Sequence, residues 1–437
     1  MTTTEPMPAG PAKREEDKRR GGLLRQRDFR LLWTGETTSK LGSAVGEMAL
    51  PLVAVVTLDA DTFTVGLLTA AVWLPWLLFG LLAGVWVDRL DARTVMIVSN
   101  VVSTLLFLSV PVATWLDVLT VGQLLTVAFL GGTASVCFTT AYRTYLPSLV
   151  RKEDLLEANT KLQGSEAAAQ VVGPGLGGVV AQVLGAVSGI LVDSLTFLFS
   201  ALCIRGIRPA GRRPRSNSRG NLRGEIADGV RFVLRDPYLR TLMIFGAVSN
   251  IALNGFQSLY VVFLVRTVGV DSGVVGVLFG VLGVGGVCGA LLAGRLAARV
   301  GTARAMLLCQ LSAAPTALLI PMTGPGYALL FMAIGGFCIG VGVVGSGVIT
   351  VSFRQSYIPS EFLGRVTASM AVINYGAIPI GAALGGFLGT ALGIRTTMWI
   401  TTLAFVLACL VLVASPIRRL RDFPAAPPEH VQPAVAG

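Results

Sequence analysis

The sequence predicts an all-α membrane protein of twelve transmembrane helices arranged as two pseudo-symmetric six-helix bundles. Three observations predict it: the hydropathy, the placement of the charged residues and an internal repeat. Of 437 residues, 53% are hydrophobic and only 14% charged, and the mean hydropathy is +0.72. A soluble protein carries roughly 25% charged residues. The deficit comes from long uncharged runs such as residues 63–87 and 94–116. A helix needs about 20 mostly apolar residues to cross the ~30 Å hydrocarbon core.

Twelve runs between residues 29 and 415 meet that requirement. Spans are expected near 31–57, 63–87, 94–116, 120–141, 160–183, 186–204, 240–265, 272–297, 303–322, 326–350, 364–389 and 396–414. They leave a tail at 1–30, a bundle over 31–204, a central loop at 205–239, a second bundle over 240–414 and a tail at 415–437. The first 28 residues are charged and lack the apolar core of a cleaved leader, so span 1 is expected to act as the insertion signal.

Charge sets the orientation. All but three of the 35 Lys and Arg fall in the tails, in the loops that follow even-numbered spans, or in the span ends bordering those loops. The exceptions are Lys40 within span 1 and Arg266 and Arg395 in the opposite loops. Basic loops stay in the cytoplasm, which predicts an inner-membrane protein with both termini cytoplasmic. The same alternation explains the net charge of +11 without nucleic acid. The 205–240 segment carries ten arginines, and Leu222, Ile226, Val230 and Val233 recur in it at helical spacing. A short amphipathic helix lying on anionic lipid is expected there.

The halves repeat. Tyr145-Leu146-Pro147 recurs as Tyr357-Ile358-Pro359, and Pro174 with Gly177-Gly178 recurs as Pro379 with Gly385-Gly386. Gly84, Arg89 and Arg93 recur as Gly294, Arg299 and Arg304, all at offsets of 205–212 residues. Two similar six-span halves are a transporter architecture, with the substrate site between them near the midplane.

On these residues the sequence resembles the major facilitator superfamily. Gly84, Asp88, Arg89 and Arg93 are similar to that family's signature loop between helices 2 and 3. Gly173, Pro174, Gly177 and Gly178 look like part of its antiporter motif, although Ala169 and Thr160 stand where earlier glycines belong. Phe29-Arg30-x-Leu32-Trp33, Tyr145-Leu146-Pro147-Ser148, Glu157-Ala158-Asn159 and the run from Asp193 to Phe197 resemble its drug and siderophore exporters. That branch includes the enterobactin exporter and the macrolide efflux proteins. Glu36 stands where the branch often has Gln, and Ala298 replaces the acid in the second copy of the signature loop. The resemblance implies a gating role for Asp88, Arg89 and Arg93, and a cavity lined by spans 1, 4, 7 and 10.

Span 1 carries the sharpest chemical signal. Glu36, Lys40, Ser43 and Glu47 lie within roughly 60° of one another on a helix. An ionised group at the bilayer centre costs about 2.5–3.5 kcal/mol on insertion scales, so such a stripe faces a cavity and marks a pathway. Glu36 and Lys40 are expected to pair at i,i+4. Glu47, about 10 Å from Lys40 along the helix, is the expected proton carrier. The competing reading is a stripe that only packs or stays hydrated. Asp193 in span 6 is read either as a second proton site or as a structural partner. In span 7, Asn250, Asn254 and Gln257 share a face and suit either cargo or interhelical hydrogen bonds. Thr133, Cys137, Thr140, Ser346 and Thr350 are weaker cavity candidates.

Other chemistries find little support. The six cysteines all fall within spans without a C-x-x-C pair, and the one histidine, His430, lies in the Pro-rich tail. No metal, cofactor or enzymatic site is expected. Gly340-x-Gly342-x-x-Gly345 matches a dinucleotide pattern but lies inside an apolar span with no preceding strand, which reads as packing. No Gly-Lys dipeptide is present, so an ion gradient is the expected energy source. The sequence thus predicts a proton-coupled exporter of drugs, antibiotics or siderophores, functional as a monomer in lipid. Proton-symport import is the runner-up, and a non-transporting receptor is a distant third.

Overall fold

The computed structural model describes residues 23–87, 90–151, 154–208 and 222–426. Among the described residues, twelve helices are long and apolar enough to cross a membrane. Spans 1 to 6 are Arg27–Leu52, Thr62–Val87, Ala92–Trp115, Val121–Leu149, Leu155–Leu184 and Ala186–Arg205. Spans 7 to 12 are Pro237–Val262, Ser272–Val300, Thr302–Ala317, Leu329–Tyr357, Ser360–Leu392 and Ile394–Ala414. A separate helix, Leu222–Arg235, precedes span 7 and packs on span 11, where Phe232 stacks on Phe362. Asp88 and Arg89 lie outside the described residues, as do the first 22 residues, residues 209–221 of the basic loop and His430.

An even number of crossings returns the chain to the face it started from. We call this the tail side and the opposite face the far side. Spans 4, 5, 10 and 11 extend beyond the expected limits on the tail side, span 4 by two turns to Leu149. Hydropathy marks only the stretch inside hydrocarbon, and the helical hydrogen-bond ladder continues past it into the polar layer. Pro147 sits in the final turn of span 4 and does not prevent this.

The packing repeats about a two-fold relation. Span 1 lies against 5 and 6, span 2 against 4, and span 3 against 4 and 6. Spans 7, 8 and 9 do the same with 11 and 12, with 10, and with 10 and 12. The first six and last six helices meet along two seams, 2 with 11 and 5 with 8. Lipid tails give helices no hydrophobic reason to associate, so these seams rely on small residues and close van der Waals packing. A Cβ added to Gly178 would lie 2.7 Å from the Gly276 Cα, and one added to Gly66 would lie 2.7 Å from the Gly386 Cα. These four glycines sit toward the far side.

Spans 1 and 7 both end in a wider π-helical turn, Val53–Thr57 and Phe263–Val268. From the second, Arg266 crosses to the first and bonds Asp59 Oδ1 at 2.5 Å. The other arginine of this face, Arg395, donates to the Thr323 carbonyl and lies over the Phe263 ring. On the tail side residues 416–423 fold back on span 9. Asp422 accepts the Thr302 N–H, the Arg421 carbonyl accepts from Ala303 and Arg304, and Phe423 stacks on Phe353 of span 10.

Candidate functional site

The polar residues of span 1 open into a cavity of about 240 Å³ enclosed by spans 1, 3, 4, 5 and 6, with Val72 of span 2 at its edge. The helical stripe explains their shared direction. Glu36, Lys40, Ser43 and Glu47 all line this space, as does Asp193 from span 6. The glycines of span 5 allow span 1 to approach: Gly173 faces Ala44, and Gly177 faces Val45.

The ion pair within span 1 does not form. Lys40 Nζ instead bonds Glu166 Oε1 of span 5 at 3.1 Å. Glu36 is buried at 5% exposure, and its Oε1 has no hydrogen-bond partner among the described residues. Local spacing favoured Glu36, but span 5 brings a second carboxylate within reach, and the lysine turns to it. Glu166 was missed by sequence reasoning. The available signal was an acid inside a predicted span, four residues before Gln170, which also lines the cavity.

Asp193 is 2% exposed, and its Oδ1 accepts from Ser43 Oγ at 3.5 Å. Glu47 is exposed to the cavity rather than packed. The structure therefore brings Glu36, Lys40, Ser43, Glu47 and Asp193 to one space, with Lys40 committed to Glu166. Among the described residues no group of three His, Cys, Asp or Glu is placed to hold a metal.

The amides of span 7 divide. Asn250 lines a second cavity, of about 380 Å³, enclosed mainly by spans 7, 10 and 11. It donates to Asn374 Oδ1 at 3.4 Å and to the Gly246 carbonyl. Asn254 donates back to the Asn250 carbonyl, and Gln257 is exposed. Helical phase put the three on one face, but it does not say which turn of that face meets a cavity. Ser346 and Thr350 line the second cavity. In span 4, Thr133 and Thr140 bond their own helix, whereas Ser135 and Thr139 line the first cavity.

Of the charged residues in the signature loop, only Arg93 is described. Its Nε donates to the Ile204 carbonyl at 3.2 Å and its Nη2 to the Arg205 carbonyl at 2.6 Å. A cation at a helix C-terminus meets the negative end of the helix dipole, so Arg93 ties span 3 to span 6 within the first six helices.

Twelve spans, paired six-helix packing and a charged cavity suit a secondary transporter, and comparison decides the family. The profile of the family described as "Transmembrane secretion effector" (MFS_3) matches residues 22–436. The chain belongs to this family of major facilitator transporters. Such proteins move small molecules across membranes and are not enzymes. The chain is 28% identical over 420 residues to the multidrug efflux pump Tap of Mycolicibacterium fortuitum, covering 94% of this chain and 99% of that protein. It is 22% identical over 409 residues to macrolide efflux protein A of Streptococcus pyogenes, covering 90% and 96%. Among solved structures, a point mutant of the nucleoside transporter NupG superposes with a TM-score of 0.76 at 10% identity, covering 89% of this chain and 99% of that one. That likeness concerns the fold alone. This major facilitator protein is a multi-pass membrane transporter of small molecules.

Proposed function

We propose that this protein is a proton-coupled antiporter that exports small organic molecules such as drugs, antibiotics or siderophores. It acts by alternating access as a single chain in the cytoplasmic membrane, with its tail side in the cytoplasm. The observation that carries the reading is Glu47, open to the cavity beside Asp193 and Ser43 while Lys40 is held by Glu166. A carboxylate facing a membrane-depth cavity with no fixed cation is free to exchange a proton for cargo. The efflux activity named for its relatives supports the direction of transport.

The two sets of six helices act as rigid bundles that tilt about the shared site. The glycine seams and the Asp59–Arg266 pair hold the far side together in the described state. Opening that side requires those contacts to part, and cargo and proton bias the two states through their different affinities for each. The excess of arginine on the tail side favours the anionic cytoplasmic leaflet and fixes the orientation.

Everted vesicles loaded with acidic buffer test this with a fluorescent cationic dye, ethidium. Wild-type vesicles should accumulate the dye. The Glu47→Gln protein should insert, elute as a single peak in detergent and fail to accumulate it. Full accumulation by Glu47→Gln refutes the proton role, and uptake by right-side-out vesicles instead reverses the direction.

A further inference from the structure

The second cavity contains one ionised side chain, Arg354, three residues before the end of span 10. Its other polar lining groups are neutral; two pairs bond each other, whereas Ser249 Oγ and Gln310 Oε1 have no partner among the described residues. Gln310 Nε2 donates to Ser346 Oγ at 2.5 Å, and Asn250 donates to Asn374. Arg354 makes no ion pair among the described residues. Among the described residues its guanidinium bonds the Met370 thioether alone, at 3.8 Å. Sulfur is a weak acceptor and leaves the charge uncompensated.

An arginine at the tail-side end of a span satisfies topology wherever it points. This one points inward, into a cavity shared with Thr350 and Asn374. The corresponding position in the first six helices, three residues before the repeated Tyr-x-Pro, is Tyr142. Tyr142 also faces a pocket, which it shares with Glu36, Lys40 and Glu166. The fold therefore aims this position at the interior in both halves. The first half places a phenol among carboxylates there, and the second places a cation among amides. Inside the cavity this charge has no counter-ion among the described residues, and a planar guanidinium is shaped for two parallel hydrogen bonds to an oxyanion.

We propose that the second cavity binds the carboxylate of an amphiphilic cargo and that Arg354 is its ion-pair partner. Such a cargo is an organic acid or a zwitterion, with its cationic end matched to the acidic first cavity. The inference rests on the transport reading above and names the class of molecule carried.

Equilibrium binding of tetramethylrhodamine (free acid) and of its methyl ester tests the pairing. The two dyes share a cationic ring system and differ only in the carboxylate. The purified full chain is held in phosphatidylcholine nanodiscs, and fluorescence polarisation is the readout. The wild-type protein should bind the acid about tenfold more tightly than the ester, the scale of one charge-assisted hydrogen-bonded pair. Arg354→Met should bring that ratio to about one while ester affinity stays within about twofold, so the ester reports the intact fold. If Arg354→Met does not fold, Arg354→Gln carries the same expectation. Equal wild-type affinities for the two dyes, or a preference for the acid that survives either substitution, overturns the pairing. No pH gradient is present, so this result is independent of the Glu47→Gln vesicle experiment.

Discussion

Lys40–Glu166 and Asn250–Asn374 occupy corresponding places in the two halves. Each joins the first helix of its set to the fifth, and the pairs are separated by offsets of 210 and 208 residues. The first is an ion pair and the second an amide pair. The contrast extends through both cavities: Glu36, Glu47 and Asp193 line one, and neutral amides and hydroxyls with Arg354 line the other. A common backbone plan thus carries two kinds of chemistry. The proposed function places ion traffic in the half whose acids face open space, and cargo recognition in the half whose polar groups are neutral apart from Arg354.

A second contrast lies on the tail side. Asp236 caps span 7 by accepting from the Tyr238 and Leu239 N–H groups, and it also accepts from Tyr357 Oη at 2.5 Å. Its counterpart Asp28 and the matching Tyr145 are both buried at their polar atoms. Neither Asp28 Oδ1 nor Tyr145 Oη finds a hydrogen-bond partner among the described residues. The same two residue types are joined in one half and apart in the other.

The largest expected effect breaks the first contrast outright. Glu47→Gln combined with Asp193→Asn should lower pH-driven dye accumulation at least about tenfold, since two of the four acids that line the first cavity are lost. Asn250→Ala with Asn374→Ala should leave the dependence on the pH gradient intact. Equal loss of that dependence in both variants would remove the division of labour. Next, Tyr357→Phe should cost about 1.5–3 kcal/mol, the range for a hydrogen bond to a charged group, and lower the thermal unfolding midpoint. Tyr145→Phe should change stability by less than about 0.5 kcal/mol, because its hydroxyl holds no partner to lose.

Replacing either member of the Lys40–Glu166 pair should cost about 1 kcal/mol or less, because both side chains remain partly solvated. The double variant Lys40→Asn, Glu166→Asn, which copies the second half, should recover most of that midpoint loss. A double variant as unstable as the sum of its parents would mean that the two sites are not interchangeable. The smallest effect belongs to Asp59→Asn. Asp59 is 95% exposed, so its bond to Arg266 is worth at most about 1 kcal/mol, and dye flux should change less than about fivefold.

The twelve spans were legible because the hydrocarbon thickness imposes one length on every run. The span 1 stripe was legible because four polar residues share one helical face in an apolar segment. The partner of Lys40 was not, because choosing Glu166 over Glu36 depends on how span 5 leans on span 1 through Gly173 and Gly177. Arg354 was hidden for a different reason. The charge count that fixes topology absorbs every tail-side arginine and cannot separate one that points into a cavity. The repeat was read at Tyr145 and Tyr357, but its acidic half, Arg27-Asp28 against Arg235-Asp236, went unread until both ends met in space.

The folded-back chain end has a practical side. With Asp422 serving as the cap that span 9 does not supply for itself, residues 416–423 belong to the packed protein rather than to a dispensable extension. An affinity handle belongs after residue 426, whereas a deletion that starts at residue 416 strips the cap from Thr302 and uncovers Phe353.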